Sequence, residues 1–406
     1  MTRETPEPLL PGMPVDPAAV CPACGGRGLS IFHEQHEIPV HSCRLVATRA
    51  EAETFPRGTL RLGLCTRCGF ITNVAFDAAL QSYSVDYEET QGFSARFRDF
   101  ARELAERWIE QYDLRGKDVL EIGCGKAEFL TLMCELGVRR GIGVDPAVVP
   151  ERVSGPGAIQ VELIKDLYSE KHAPSSVAAV VCRHTLEHIQ PVAGFLGLVR
   201  RSVADRPDTV VLFEVPDTMR VLRECAFWDV YYEHCSYFTR GSLARLFRSA
   251  GFGVLAVELA YDEQYVLIEA LPQGRAGGPK PGEETVEEIA AAAADFARGL
   301  TEVESRWRTT IEELRSSGRR AAIWGAGSKA VAFLTALGIG DEIGCVVDIN
   351  PYKHGMFIAG TGHEIVPPAF LRDYRPDVVI AMNPIYRDEI GRDLSKLGLE
   401  PALTAV

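Results

Sequence analysis

No run of apolar residues in this 406-residue sequence approaches the ~20 needed to cross a bilayer, so no membrane partner is expected. The opening residues, MTRETPEPLLPGMP, hold too short an apolar stretch for a secretory signal, and a cytoplasmic location is the expectation. A disulfide framework is also missing. Of the 11 cysteines, four stand in two CxxC pairs, Cys21/Cys24 and Cys65/Cys68, and the others are scattered singly. That usage fits a reducing compartment, where thiolates are free to hold metal. Positive charge is in short supply: Lys and Arg number 43 against 56 Asp and Glu, a net charge of -13. Such a field repels a phosphate backbone and excludes nucleic acid as a general partner, while leaving room for a local pocket for one small anion. No tandem repeat is present.

What is there is a soluble globular composition, 46% hydrophobic and 24% charged, on a chain long enough for several cores. Residues 1–20 are proline-rich and read as a flexible tail. Residues 21–76 alternate short strands and turns between the cysteine pairs. Residues 77–272 open with apolar positions at helical spacing in FSARFRDFARELAERWIEQY. They continue as buried-type strands alternating with helical segments, the rhythm of a parallel α/β sheet ending in antiparallel strands. Residues 273–315 comprise a Pro/Gly linker and a long acidic, alanine-rich helix; residues 316–406 begin a second doubly wound unit.

Each CxxC pair places two thiolates on one ion through a tight turn. Cys21, Cys24, Cys65 and Cys68 together predict tetrahedral Zn2+ with four sulfur ligands. With every position taken by protein, the ion is expected to be structural. His33, His36 and His41 lie between the pairs and are read as ordinary histidines.

Two glycine turns follow. The first, EIGCG, carries Glu121, Gly123 and Gly125, and Asp145 closes the next strand in GIGVD, the distance at which a carboxylate accepts ribose hydroxyls. A dinucleotide turn wants a small residue where this chain has Glu128, whose carboxylate repels pyrophosphate. S-adenosylmethionine has a ribose and adenine but no phosphate, and its ammonium group suits Glu121. Asp166 stands where methyltransferases with this turn hold the adenine amine, and RHTLEHI puts Arg183, His184 and His188 at the carboxyl edge of the sheet. The second turn, GAGSKA from Gly325, has small Ala330 and a following Asp348. It reads as an anion or nucleotide cradle containing Lys329, as an NAD site, or as a turn that only packs helix on strand.

The densest polar and aromatic segment is AFWDVYYEHCSYF, with Asp229, Tyr231, Tyr232, Glu233, His234 and Tyr237. Histidine is the side chain best poised to take a proton near neutral pH, and a neighbouring carboxylate and phenol can fix its orientation. Tyr83, Tyr87, Glu88 and Gln91 form a lesser cluster upstream that reads either as a cover for the site or as a solvated loop.

Together the CxxC pairs, EIGCG, YYEHCSYF and the carboxyl-terminal WGAGSKAVAFL, DINPYKHGMFIAGT and IVPP stretches resemble the sugar C-methyltransferases acting on nucleotide-linked 4-keto deoxysugars. The resemblance covers nearly the whole chain. It implies an α/β fold with a small N-terminal zinc-binding domain, a central class I methyltransferase Rossmann-like domain and a C-terminal Rossmann-like domain. It also implies a nucleotide-sugar substrate. By that similarity His234 is the base that removes the proton beside the sugar ketone, Tyr231 and Glu233 orient it, and His188 with Tyr87 binds or polarises the sugar. The enolate then attacks the sulfonium methyl carbon. Lys329, Asn350 and Lys353 are the candidates for the substrate's nucleotide or diphosphate.

Two departures stand out. Where many relatives carry histidine, two glycines and serine before the last strand of the central sheet, this chain has Asp262, Glu263, Gln264 and Tyr265; and Tyr232 replaces a histidine. Transfer to another atom or a non-sugar acceptor, and an NAD-dependent oxidoreductase built on GAGSKA, are the rival readings.

Overall fold

The computed structural model describes residue 10 and residues 12–81, 86–172, 176–273 and 277–406. The N-terminal sheet contains β1 (Val15–Val20), β2 (Arg27–Pro39), β3 (Arg57–Leu64) and β4 (Ile71–Asn73), with the short helix α1 (Arg49–Glu53) between β2 and β3. Val15–Val20, within the stretch read as a flexible tail, is therefore a strand. It lies at the sheet edge, where its ladder with β2 is irregular between Asp16 and Val20, and an edge tolerates Pro17, which has no N–H to donate.

The two cysteine turns share one hydrogen-bond pattern. Cys21 N–H donates to Gly26 and Gly25 N–H to Cys21; Cys65 N–H donates to Phe70 and Gly69 N–H to Cys65. The second turn joins β3 to β4, so whatever fixes the sulfurs also fixes that hairpin.

The middle unit contains α2 (Ala95–Gln111), β5 (Asp118–Ile122), α3 (Glu128–Glu135), β6 (Arg140–Val144), β7 (Val161–Ile164), β8 (Val177–Arg183), α4 (Val192–Ser202), β9 (Val210–Pro216) and α5 (Thr218–Glu224). It ends with β10 (Ser236–Tyr237), α6 (Arg240–Ser249), β11 (Gly253–Ala260) and β12 (Tyr265–Leu271). Its seven-stranded sheet runs β11-β12-β9-β8-β5-β6-β7. β9 through β7 are mutually parallel, and the last hairpin is antiparallel. A parallel run ending in an antiparallel hairpin is the mixed α/β sheet expected of the central domain. β10 leaves it and pairs with β4, Ser236 opposite Thr72 and Tyr237 opposite Ile71, completing the N-terminal sheet as its fifth strand.

Helix α7 (Val286–Ser316) is capped at its start by the reciprocal Thr285/Glu288 pair and leads to the third sheet. That sheet contains β13 (Ala321–Trp324), β14 (Cys345–Val347), β15 (Ile365–Val366), β16 (Val378–Ala381) and β17 (Ala402–Ala405), with α8 (Ser328–Leu337), α9 (Leu371–Tyr374) and α10 (Arg387–Lys396) as its helices. The order is β15-β14-β13-β16-β17, all parallel. In both sheets the order of the parallel strands reverses at the first of them, β5 or β13, and the crevice beyond the carboxyl ends at such a reversal is where ligands bind. Among the described residues no helix is long and apolar enough to cross a membrane.

Candidate active site

Both crevices open into one cavity of about 420 Å³. The middle unit contributes Gly123, Arg183 and Pro216, at or just past the ends of its strands. The third unit contributes Trp324, Gly325 and Asp348 in the same way.

The cofactor side is built on the EIGCG turn. Gly123 has φ +68°, and a Cβ there would collide with Thr185 Oγ1; a Cβ at Gly125 (φ +53°) would sit 2.5 Å from Glu89 Oε1. Only glycine lets the turn approach this closely. Glu121 is buried, its Oε2 has no hydrogen-bond partner among the described residues, and burial lifts its carboxyl to about 8. A buried carboxylate left without a partner at a cavity wall is costly unless a cationic ligand meets it. The turn therefore fits the ammonium group of S-adenosylmethionine.

Asp145 accepts from Gly125 N–H (3.1 Å) and Ala147 N–H (2.6 Å), at the rim of the turn and outside the cavity lining. Asp166 is also outside the lining: its carboxylate pairs with Lys171 at 2.9 Å and lies 3.4 Å from His172. The contact with adenine expected of it is not prepared.

His184 lines the cavity at the end of β8, in the left-handed region (φ +48°). Its Nε2 lies 2.6 Å from Glu214 Oε1, and Glu214 also takes Arg183 bidentately at 3.0 and 3.1 Å. Burial opposes charge on the imidazole, but Glu214 and Glu187 outweigh it and raise His184 to about 9. It is a cation at neutral pH.

The acid-base segment comes to the same cavity because β10 is clipped into the N-terminal sheet two residues after His234. His234 is buried, with its ring 4.2 Å from Tyr231 and 4.9 Å from His188, and burial together with His188 pushes it down to about 3. The ring is therefore neutral at neutral pH, with one of its two nitrogens free to take a proton. Glu233, expected to orient His234, does not. Residues 231–234 form a turn in which His234 N–H donates to the Tyr231 carbonyl at 3.2 Å, and the Glu233 carboxylate accepts from Ser42 N–H and from Ser42 Oγ at 2.6 Å, with His41 Nδ1 at 3.7 Å.

The carboxylate near His234 is Glu187, whose ligand atom lies within 4.8 Å of those of His188 and His234. Sequence reasoning passed over it, although it directly precedes His188 in RHTLEHI. Tyr87 and His188 line the cavity, and Lys126 donates to the Tyr87 carbonyl and to Glu89 at 2.9 Å, tying residues 87–91 over the cofactor turn. Tyr83 lies outside the described residues. Tyr232 points away from the cavity, into the N-terminal sheet, where its hydroxyl accepts from Asp77 N–H.

On the third unit, α8 follows Gly327, which has no side chain to cap it, and Gly327, Ser328 and Lys329 line the cavity. Lys329 pairs with Asp229, which also takes Arg220, so two cations flank one partly buried carboxylate. Arg220 was not singled out from sequence. Asn350 and Lys353 line the cavity, but their polar ends serve the protein: Asn350 Nδ2 donates to Glu88 Oε1 at 2.9 Å, and Lys353 Nζ donates to the Ala326 carbonyl at 3.1 Å. Asp348 accepts from Ala326 and Asn350 N–H, both at 2.8 Å, so its carboxylate is taken up within the turn.

The segment that departs from the small loop of relatives is a clasp. Gln264 and Asn383 exchange two amide hydrogen bonds (3.0 and 2.8 Å), and the Tyr261 hydroxyl donates to that of Tyr386 at 2.7 Å. The four cysteine sulfurs of the CxxC pairs lie within 4.8 Å of one another, with Cys21 to Cys68 at 3.7 Å and Cys24 to Cys65 at 3.6 Å. That arrangement fits a tetrahedral zinc with bonds of about 2.3 Å.

Residues 93–257 match a methyltransferase domain and residues 283–399 a C-methyltransferase C-terminal domain. The chain is 28% identical over 306 residues to C-methyltransferase NovU of Streptomyces niveus, covering 71% of this chain and 72% of that protein. Among solved structures, the 1,6-didemethyltoxoflavin-N1-methyltransferase of Burkholderia thailandensis, with S-adenosylhomocysteine bound, is 19% identical. It covers 44% of this chain and 82% of its own, with a TM-score of 0.34. The N,N-8-amino-8-demethyl-D-riboflavin dimethyltransferase of Streptomyces davawensis is 21% identical, covering 43% and 55%, with a TM-score of 0.35. The chain is an S-adenosylmethionine-dependent methyltransferase, assembled from a methyltransferase domain and a C-methyltransferase C-terminal domain.

Proposed function

We propose that the acceptor is a carbon next to the ketone of a nucleotide-activated sugar and that His234 is the base. What carries this reading is the pairing, in one cavity, of an unprotonated imidazole beside Glu187 with an uncapped helix start flanked by Lys329 and Arg220. The relative in Streptomyces niveus bears the name C-methyltransferase, and the matched C-terminal domain bears the same activity in its description.

Glu121 would hold the cofactor's ammonium group and cationic His184 its carboxylate, with Asp145 at the rim for the ribose. When bound, the cofactor supplies an electrophilic methyl group at a sulfonium. His234 takes the proton alpha to the ketone, and the Glu187 carboxylate stabilises the imidazolium that results. Tyr231 packs on the His234 ring, and Tyr87 and His188 face the ketone, where a donor lowers the cost of the developing oxyanion. Lys329 and Arg220, with the first turn of α8, meet the diphosphate. Asn350 and Lys353 hold the loops that shape this end of the cavity. The zinc held by Cys21, Cys24, Cys65 and Cys68 is structural.

Incubation with isotopically labelled methyl donor and a panel of nucleotide ketosugars tests the reading. Label on a ring carbon alpha to the ketone supports it; label found only on oxygen or nitrogen contradicts it.

A further inference from the structure

Glu187, His188 and His234 come from two segments far apart in sequence, yet one ligand atom from each lies within 4.8 Å of the others. All three line the cavity, so an ion bound to them would keep its remaining positions open toward it. Glu187 is 2% exposed, and its Oε2 has no hydrogen-bond partner among the described residues. His234 is 7% exposed. Two imidazole nitrogens and one carboxylate oxygen suit zinc and cobalt, and three protein ligands with an open fourth position are the arrangement of accessible rather than structural zinc. The site differs in kind from the four-cysteine cluster, which is closed and all sulfur.

We propose that Glu187, His188 and His234 form a second divalent-metal site, and that an ion there occupies the imidazole nitrogen needed for proton removal, so that zinc or cobalt switches the transfer off. No bond of the acceptor is made or broken in this step; the ion enters and leaves with its charge unchanged. The inhibitory half rests on His234 being the base, whereas the binding half does not.

The test uses the full chain with its four-cysteine site filled by zinc, titrated with Co2+ and followed by visible absorption. The expected result is a saturable ligand-field spectrum without thiolate charge-transfer bands. Glu187→Gln and His188→Asn should each weaken it by more than about 100-fold, beyond what loss of an outer-shell partner costs. Zinc content and melting temperature confirm that the variants are folded. Turnover should fall in step with cobalt occupancy and return when a mild chelator removes only the added ion. Absence of cobalt binding beyond the zinc, or equal binding by both variants, overturns the site. Cobalt bound there with turnover unaffected overturns the inhibition. Failure of the ketosugar reading leaves the spectrum unchanged, so the two are told apart.

Discussion

Ser42 and Glu233, 191 residues apart, are joined inside the protein: both the backbone N–H and the hydroxyl of Ser42 donate to the same carboxylate oxygen of Glu233. Burial opposes a charge on Glu233, but His41, His188 and Ser42 outweigh it and hold the carboxyl down to about 2. This pair fastens the loop after β2 to the segment that carries His234. Hydrogen bonds to a charged group are worth ~1.5–3 kcal/mol. Glu233→Gln should therefore lower the melting temperature and cut kcat by roughly tenfold or more, while cofactor affinity, set at the other wall, stays unchanged. Calorimetry and steady-state kinetics check this; wild-type melting with full kcat would contradict it.

Cofactor binding should carry the signature of Glu121. Its folded carboxyl is raised to about 8 by burial, above the 4.5 of an unperturbed glutamate. The free protein therefore binds the extra proton between these values. Its contribution to stability is fully present below the unfolded value and is lost as pH rises through about 8. An ammonium ligand prefers the ionised carboxylate, so affinity for S-adenosylmethionine should rise with pH up to about 8 and then level. In Glu121→Gln the slope should vanish and affinity should fall. Titration calorimetry across that range reads both; an unchanged slope in the variant removes Glu121 from the cofactor site.

Removing the metal should disable catalysis at a distance. The Cys65–Cys68 turn sets the β3–β4 hairpin, β4 pairs with β10, and β10 begins two residues after His234. A strong chelator should abolish turnover in proportion to zinc lost, and hydrogen exchange should rise at Ser236 and Tyr237. Full turnover by zinc-free protein would refute this coupling.

The Gln264–Asn383 exchange fixes the third unit against the middle sheet. Either single change to alanine strands the partner amide and should cost ~1–3 kcal/mol, while the double variant should cost less than the sum of the two. A double-mutant cycle on unfolding free energy measures this. Strict additivity would mean that the two amides do not act as a pair.

Much of this architecture was legible in the chain. Strands such as Asp118–Ile122 and Val177–Arg183 announce themselves as short, largely apolar runs of buried type, and the CxxC spacing carries its own chemistry. What escaped reading depends on long-range pairing. β10 is a two-residue strand with no periodicity of its own, and its partner lies 164 residues earlier, Ser236 on Thr72. Glu233 adjoins His234 in sequence yet reaches for Ser42, because residues 231–234 form a turn, closed by His234 N–H donating to the Tyr231 carbonyl, that sends neighbouring side chains in different directions. Tyr232, in the same turn, enters the N-terminal sheet, so its difference from relatives lies outside the cavity. Asn350 and Lys353 have the right chemistry for an anion, but the buried Glu88 and the Ala326 carbonyl claim them first.

The most direct test is hydrogen exchange at carbon. A nucleotide ketosugar that the wild-type enzyme methylates is incubated in deuterated water with wild-type protein and with His234→Ala, without methyl donor, and followed by proton NMR. Loss of the alpha-proton signal with wild-type protein, and its retention with a variant that still binds S-adenosylmethionine, is the result expected. Exchange at the wild-type rate in His234→Ala would show that another group takes the proton.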